Sequence, residues 1–318
     1  MLLHILLLIV GFVLLIKGGD WLVDGASSLA IRFNISDIVI GLTLVSFGTS
    51  APELLVNLYA SLTEAEGIAL GNILGSNIAN ILLVLGAAGF MHTMVLQNRT
   101  IWREIPFALI VTVVLGVLAN DHLFSSADPN VLSHSDGIIL LILFAVFMYY
   151  TYDTSLKQQS LLEQQSEFGT WASIGLVIVG GVGLGAGGKL SVDSAVEIAN
   201  GLGVSEDLIG LTVMALGTSL PELVTSVTAA MKDKADIAVG NIVGSNIFNI
   251  LLVLGISATV KDIPYHRLFN GDLFVAVGAT LLLFFTMFAG RRRQIGRRKG
   301  ALFLMIYVAY IIFTVMTR

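Results

Sequence analysis

The sequence contains no cysteine and few charged residues. Without Cys, disulfides, thiol nucleophiles and thiolate metal sites are excluded. Asp, Glu, Lys and Arg make up 12% of the 318 residues, about half their share in a soluble domain. The net charge of −5 is small and dispersed, which argues against a nucleic-acid partner. Only five prolines accompany 33 glycines, so the chain is neither proline-rich nor collagen-like.

Hydrophobic residues, in contrast, make up 56% of the chain, and the mean hydropathy is +0.89. Apolar segments of about 20 residues are what a bilayer core requires. The composition therefore predicts an all-α membrane protein and excludes a soluble or a disordered chain. The apolar runs between polar breaks predict ten transmembrane helices, at about 2–18, 38–61, 68–91, 103–119, 137–153, 171–189, 207–231, 237–260, 271–290 and 300–317.

The distribution of positive charge predicts the orientation of these spans, because cytoplasmic loops carry an excess of Lys and Arg. If the N-terminus lies outside, the inside segments hold twelve basic residues and the outside segments hold three. Six of the twelve form one cluster at 291–299, but the remaining six still outnumber the outside three. We therefore expect a multi-pass protein of the plasma (inner) membrane with both termini extracytoplasmic.

The sequence also contains an internal repeat. A shift of 169 residues aligns 38–86 with 207–255 at 27 of 49 positions, without a gap. Five predicted spans separate equivalent points, so the second copy must cross the membrane in the opposite direction. This predicts two inverted five-helix repeats, at 1–153 and 171–318, joined by a cytoplasmic linker at 154–170. Inverted repeats are typical of secondary transporters; a duplicated cation channel is the alternative.

The first repeated block is Gly48-Thr-Ser-Ala-Pro-Glu53, which matches Gly217-Thr-Ser-Leu-Pro-Glu222. A charged residue at the bilayer centre costs about 2.5–3.5 kcal/mol on insertion scales, so Glu53 and Glu222 indicate a functional site. The alternative is a neutral, protonated Glu bonded within the bundle. Thr49 shares a helix face with Glu53. Pro52 lacks an N–H group, which predicts an unwound turn at Gly48 with free carbonyl oxygens.

The second repeated block, at 71–80 and 240–249, carries a polar stripe with a spacing of four residues. Its members are Asn72, Ser76 and Asn80 in one copy and Asn241, Ser245 and Asn249 in the other. Asn77 and Asn246 lie off this stripe, which favours interhelical hydrogen bonds over ion ligands. The resulting set of donors contains only oxygen, which suits Ca²⁺, Na⁺, Mg²⁺ or Mn²⁺. Two carboxylates balance one Ca²⁺, which also accepts neutral carbonyl and amide ligands.

Together, the two pairs of blocks resemble the signature repeats of the sodium/calcium exchanger family, within the calcium/cation antiporter superfamily, and the chain is similar to its compact prokaryotic members over nearly its whole length. The resemblance implies secondary active antiport of Ca²⁺ for Na⁺ by alternating access at a midplane site, during which the first and sixth helices slide across the core. It implies metal ligands at Glu53, Glu222, Thr49, Ser50, Thr218, Ser219, Ser76, Ser245, Asn80 and Asn249, with main-chain oxygens at Ser46 and Ala215.

We accordingly expect a transporter and not an enzyme, with Ca²⁺ and Na⁺ as substrates, no cofactor, the lipid bilayer as its surroundings, and function as a monomer. Two departures from the family pattern matter. Asn249 stands where the potassium-dependent branch carries Asp, which puts potassium coupling in doubt. The motif Gly71-Asn-Ile-Leu-Gly75 lacks the acid typical of the proton/calcium branch. A proton-coupled antiporter using the same glutamates, or a cation channel, remains the alternative.

Charged residues also cluster on two helices outside the repeated blocks. Lys17, Asp20 and Asp24 lie three to four residues apart on the first helix, and Lys189 and Asp193 do so on the sixth. The spacing favours charge pairing along each helix, and a cation-attracting rim is the alternative.

Overall fold

A computed structural model describes residues 2–62, 66–120, 130–157, 166–202, 217–289 and 293–317, which form ten helices and four short strands. The first half contains α1 (Leu2–Arg32), α2 (Asp37–Ile40, a π-helical turn at Gly41–Val45, then Ser46–Leu62), α3 (Glu66–Ala79, a π-helical turn at Asn80–Val84, then Leu85–Met91), β1 (Met94–Val95), α4 (a π-helical turn at Thr100–Glu104, then Ile105–Leu118), β2 (Val131–Leu132) and α5 (His134–Lys157).

The second half repeats this order. It contains α6 (Thr170–Gly201), α7 (Leu220–Met231), α8 (Ala235–Phe248, a π-helical turn at Asn249–Leu254, then Gly255–Val260), β3 (Ile263–Pro264), α9 (Phe269–Thr286), β4 (Gln294–Ile295) and α10 (Arg297–Thr317). Within the described residues, nine helices are long and apolar enough to cross a membrane. The remaining predicted span, 207–231, begins outside the described residues and ends in α7.

The first and sixth helices are much longer than predicted. α1 has 31 residues and α6 has 32, whereas the predicted spans 2–18 and 171–189 end well before them. At 1.5 Å per residue each helix measures about 46–48 Å, more than the roughly 30 Å of a hydrocarbon core. The predicted ends were wrong because charged residues interrupt the hydrophobic run without interrupting the helix.

α1 and α6 pack against each other as an antiparallel pair along glycine residues. Gly11 faces Gly187 and Gly18 faces Gly180, so residue numbers rise along one helix as they fall along the other. A Cβ atom added at Gly18 would lie 2.7 Å from the main-chain nitrogen of Leu184, which leaves no room for a side chain. Small residues permit such close approach between transmembrane helices. The contact is therefore smooth and free of interlocking side chains.

The remaining helices pack with the same internal symmetry. α10 packs on the end of α3, its counterpart α5 packs on the end of α8, and α4 packs on α9. The strands follow this pattern, because β1 pairs antiparallel with β4 and β2 with β3, so that each ribbon joins the two halves. α3 and α8 lie at the centre and supply much of the buried core. The predicted fold class, an all-α membrane protein of two inverted five-helix repeats, is confirmed.

Candidate cation-binding site

The two glutamates of the repeated blocks are fully buried, with 0% of either residue exposed. Glu53 lies in α2 and Glu222 in α7. The hydroxyl of Ser50, in the first half, donates a hydrogen bond to Oε1 of Glu222, in the second half, at 3.1 Å. Ser245 of α8 donates to the same oxygen at 3.5 Å. The structure therefore brings the acidic residue of one half against the hydroxyl groups of both halves.

Three of the four carboxylate oxygens have no hydrogen-bond partner among the described residues: both oxygens of Glu53 and Oε2 of Glu222. An ionised carboxylate in such surroundings is very costly unless it is paired or binds a cation. Among the described residues, no group of three or more His, Cys, Asp or Glu side chains is placed to hold a metal. A cation bound here would therefore combine two carboxylates with neutral oxygen ligands.

The threonines of the two blocks make equivalent contacts across the halves. Thr49 donates its hydroxyl proton to Oδ1 of Asn241 at 2.9 Å, and its oxygen lies 3.4 Å from the hydroxyl of Ser245. Thr218 donates to Oδ1 of Asn72 at 3.2 Å, and its oxygen lies 3.5 Å from the hydroxyl of Ser76. Each threonine thus directs its proton to an asparagine, which leaves the lone pairs of its oxygen available to a cation.

The asparagines of the second block connect α3 with α8. As predicted, Asn77 and Asn246 form interhelical hydrogen bonds, and each donates to the main-chain oxygen of the other at 3.2 Å. They also accept hydrogen bonds from Asn249 and Asn80, at 3.0 Å in each case. Asn80 and Asn249 are 0% exposed, and each is the first residue of a π-helical turn. Such turns are frequent at functional sites.

Ser46 connects α2 to the backbone of α8. Its hydroxyl lies 2.7 Å from the carbonyl oxygen of Gly41 and 3.0 Å from that of Asn241, and its own carbonyl oxygen accepts from Thr49 at 3.3 Å. The predicted main-chain ligand at Ser46 therefore lies beside Thr49. Its predicted counterpart, Ala215, lies outside the described residues.

The predicted unwound turn at Gly48 is wrong for the first copy of the block. α2 runs without interruption through Pro52, and its irregularity is the π-helical turn at Gly41–Val45, one turn earlier. The π-helical turn absorbs the distortion before the proline is reached, so the helix continues. In the second copy, residues 218–219 form a turn and α7 begins at Leu220, with Pro221 in its first turn, where a missing N–H costs little.

Two further carboxyl groups are buried, which the sequence did not indicate. Glu104, 1% exposed, accepts from the hydroxyl of Tyr150 at 2.9 Å and lies 3.3 Å from Arg99. Asp272, 5% exposed, accepts from Tyr310 at 2.9 Å. Both are held by partners near the ends of α4 and α9, and neither contacts the residues of the two blocks in these hydrogen bonds. Only their neighbouring tyrosines, far away in sequence, could have indicated this burial.

Comparison with known proteins extends the likeness over nearly the whole chain. A family model described as sodium/calcium exchanger protein matches residues 3–152 and 172–316. The putative antiporter CaxA of Alkalimonas amylolytica is 41% identical, over 98% of each chain. The inner membrane protein YrbG of Escherichia coli strain K12 is 37% identical, over 98% of this chain and 96% of that one. A solved structure of the sodium-calcium exchanger NCX_Mj, soaked with Na⁺ and Sr²⁺, matches with a TM-score of 0.83 and 35% identity over 98% of each chain.

Proposed function

The chain belongs to the sodium/calcium exchanger family, and we propose that it exchanges Ca²⁺ for Na⁺ across the plasma membrane by alternating access. One observation carries this proposal most directly. The buried carboxylate of Glu222 accepts a hydrogen bond from Ser50 of the opposite half, beside oxygens that have no other described partner. The two halves thus contribute to one shared site rather than to two separate ones.

Charge balance explains why such a site would exchange these ions. Glu53 and Glu222 together carry two negative charges, which one Ca²⁺ or a small number of Na⁺ ions would neutralise. Charges interact strongly where little water is present, so both kinds of ion cannot occupy the site together without a large excess of positive charge. Mutually exclusive binding at one shared site is what couples the movement of one ion to that of the other.

We propose that Thr49, Ser50, Thr218, Ser219, Ser76, Ser245, Asn80 and Asn249 complete the ligand set, with main-chain oxygens at Ser46 and Ala215. The glycine contact between α1 and α6 supports the sliding of these two helices, because their surfaces do not interlock. We propose no catalytic step and no cofactor.

We also propose that the units are 1–153 and 171–318, that 154–170 is cytoplasmic, and that both termini are extracytoplasmic. A single chain contributes both glutamates and both sets of neutral ligands, which supports function as a monomer. The relative YrbG is named an inner membrane protein, which supports this location.

The coupling ion is tested with the purified protein in proteoliposomes. Vesicles loaded with Na⁺ and diluted into Na⁺-free buffer should accumulate radioactive Ca²⁺, whereas vesicles with equal Na⁺ on both sides should not. The matched control is the double variant Glu53→Gln/Glu222→Gln in the same lipid. Uptake driven by a pH gradient and not by a Na⁺ gradient would replace this proposal with proton-coupled antiport. Ca²⁺ flux without any counter-ion would indicate a channel.

The orientation is tested by single cysteines, because the natural chain has none. Cysteines at Ser160 and Gln294 should resist an impermeant thiol reagent applied to intact cells, and a cysteine at Ser126 should react. The reverse pattern would overturn the orientation but not the transport activity.

A further inference from the structure

We propose that Asn77 and Asn246 are positioning residues of the cation site, which hold the side-chain amides of Asn249 and Asn80 with their oxygens turned toward the ion. This inference rests on the proposed function, because it assigns a role to residues that do not themselves bind the ion. It concerns the pairing of each asparagine with a partner on the opposite half.

The orientation of Asn77 follows from the chemistry of its neighbours. Its Nδ2 lies 3.2 Å from the main-chain oxygen of Asn246, and a main-chain oxygen can only accept a hydrogen bond. The amide of Asn77 must therefore direct its nitrogen to this oxygen and its own Oδ1 the other way. Oδ1 of Asn77 lies 3.0 Å from the side chain of Asn249 and can only accept, so Asn249 must present its nitrogen. The oxygen of Asn249 is thereby directed away from Asn77.

The same sequence of constraints acts in the other half. Nδ2 of Asn246 donates to the main-chain oxygen of Asn77 at 3.2 Å, and Oδ1 of Asn246 accepts from Nδ2 of Asn80 at 3.0 Å. The result is a closed ring of four amides between α3 and α8, in which every orientation is determined by an atom that can only accept. All four residues are at most 5% exposed, so water does not compete for these contacts.

The two oxygens that this ring releases have no other described partner. Oδ1 of Asn80 and Oδ1 of Asn249 are both buried without a hydrogen bond among the described residues. Asn80 lies one helical turn from Ser76, whose hydroxyl contacts Thr218 of the opposite half, so the free oxygen lies on the stripe that faces the site. An amide that could rotate would present its NH₂ group to the cation half of the time, and this group repels positive charge.

Asparagine is the residue type that this position requires. Asn77 must donate to one group and accept from another, and a carboxylate of the same shape cannot donate. Leucine, which has a similar volume, can do neither. Removing the partner that orients a metal ligand typically weakens metal affinity or activity about 10–100-fold.

A purely structural role predicts different behaviour. If Asn77 and Asn246 only attached α3 to α8, each substitution would loosen the whole site and weaken every ligand to a similar extent. The positioning role instead pairs them in a crossed manner, because Asn77 orients Asn249 and Asn246 orients Asn80. Double-mutant cycles separate these cases, because residues that act through each other are not additive.

The experiment measures the apparent KM for Ca²⁺ uptake by the full-length protein in proteoliposomes, together with the thermal shift that Ca²⁺ induces in detergent. We expect Asn77→Ala to raise the KM about tenfold in the natural background. In an Asn249→Ala background the same change should add less than about twofold, and in an Asn80→Ala background the full effect should return. Asn246→Ala should show the opposite dependence on the two backgrounds.

Equal effects of Asn77→Ala in the Asn80→Ala and Asn249→Ala backgrounds would overturn the positioning role. A lower melting temperature without Ca²⁺ and an unchanged KM would also overturn it. If Asn77→Ala does not yield folded protein, Asn77→Ser serves in the same cycles, because a hydroxyl can retain one of the two hydrogen bonds but cannot span both. A wild-type protein without Na⁺-driven Ca²⁺ uptake would instead contradict the proposed function, and the Ca²⁺-induced thermal shift would then still report on the ring.

Discussion

Glu53 and Glu222 occupy equivalent positions in two nearly identical sequence blocks, yet their surroundings differ. Oε1 of Glu222 accepts from Ser50 and Ser245, whereas Glu53 has no such partner among the described residues. Ser219, the counterpart of Ser50, is likewise unpartnered there. Since the residues are the same, the difference comes from conformation and not from composition.

The backbones of the two blocks differ in the same way. α2 continues through Pro52, but the second copy forms a turn at residues 218–219 before α7 begins. In inverted-repeat transporters, alternating access moves one repeat against the other around a fixed site. Two copies of one sequence in two conformations are what this mechanism requires, and we infer that exchanging them between the halves yields the oppositely open state.

The largest expected effect is the loss of transport when either glutamate is neutralised. Glu53→Gln and Glu222→Gln should each abolish Na⁺-driven Ca²⁺ uptake, because a site for a divalent ion would lose one of its two charges. The two changes should be comparably severe despite the different surroundings, since both residues face one ion. Glu197→Gln, at an exposed position of α6, is the matched control and should keep uptake. Near wild-type uptake in either site variant would remove that residue from the site.

The serine pair tests whether the asymmetry is exchanged during transport. Ser50→Ala removes a hydrogen bond to the Glu222 carboxylate, and bonds to charged groups are worth about 1.5–3 kcal/mol. We expect the apparent KM for Ca²⁺ to rise about tenfold. If Ser219 takes the same role at Glu53 in the opposite state, Ser219→Ala should have a similar effect. A silent Ser219→Ala would show that the asymmetry is permanent.

The neutral amide ligands should matter less than the glutamates. Asn80→Ala and Asn249→Ala should weaken Ca²⁺ uptake without abolishing it, because a water molecule can replace a neutral oxygen ligand. The measurement is the same uptake assay across a range of Ca²⁺ concentrations. Complete loss of uptake in either variant, with the protein folded and inserted, would contradict the ranking.

The smallest expected effect concerns the ends of α1 and α6. Lys232, in the turn after α7, lies 2.7 Å from Asp24 and 3.2 Å from Asp20 of α1, whereas Lys189 pairs with Asp193 on its own helix, α6, at 3.1 Å. Lys232→Gln should lower the melting temperature by about 1–3 °C. Lys189→Gln is the control and should leave it unchanged, since its pair is largely exposed.

The pH dependence of this ion pair follows from the pKa of Lys232. Partial burial alone would lower that pKa, but hydrogen bonds and charges from Asp24 and Asp20 outweigh it and raise the pKa above the usual 10.5. Stability from a group with a raised pKa is fully present below its unfolded-state value and is lost as pH rises through the folded-state value. The difference between Lys232→Gln and the natural protein should therefore stay constant from about pH 6 to 9. A difference that changes within this range would contradict the assignment.

The sequence predicted those features that depend on periodicity and repetition. The four-residue spacing of Asn72, Ser76 and Asn80 placed one face of α3 correctly, and the spacing of Lys189 and Asp193 predicted their ion pair. It could not predict that Asp20 and Asp24 pair with Lys232, because that contact depends on how α7 lies against α1.

The backbone irregularities were predicted less well than the helices. Proline indicated a break near Gly48, but the π-helical turn in α2 begins at Gly41, and such turns carry no strong sequence signal. The ring formed with Asn77 and Asn246 needed atomic positions, because an amide in a sequence does not reveal which way it points. The four-residue spacing indicated only that these two residues lie off the stripe.

The two ribbons that join the halves also govern how the chain is made. Met94 of β1 pairs with Ile295 of β4, so the first half waits for the last helix to leave the ribosome. At about 5–20 residues per second this interval lasts roughly 10–40 s. During that time the glycine face of α1 has only lipid or the insertion machinery beside it until α6 arrives, and Asn77 has no Asn246 to pair with. Maturation in the membrane is therefore a late event, completed only when the second half arrives.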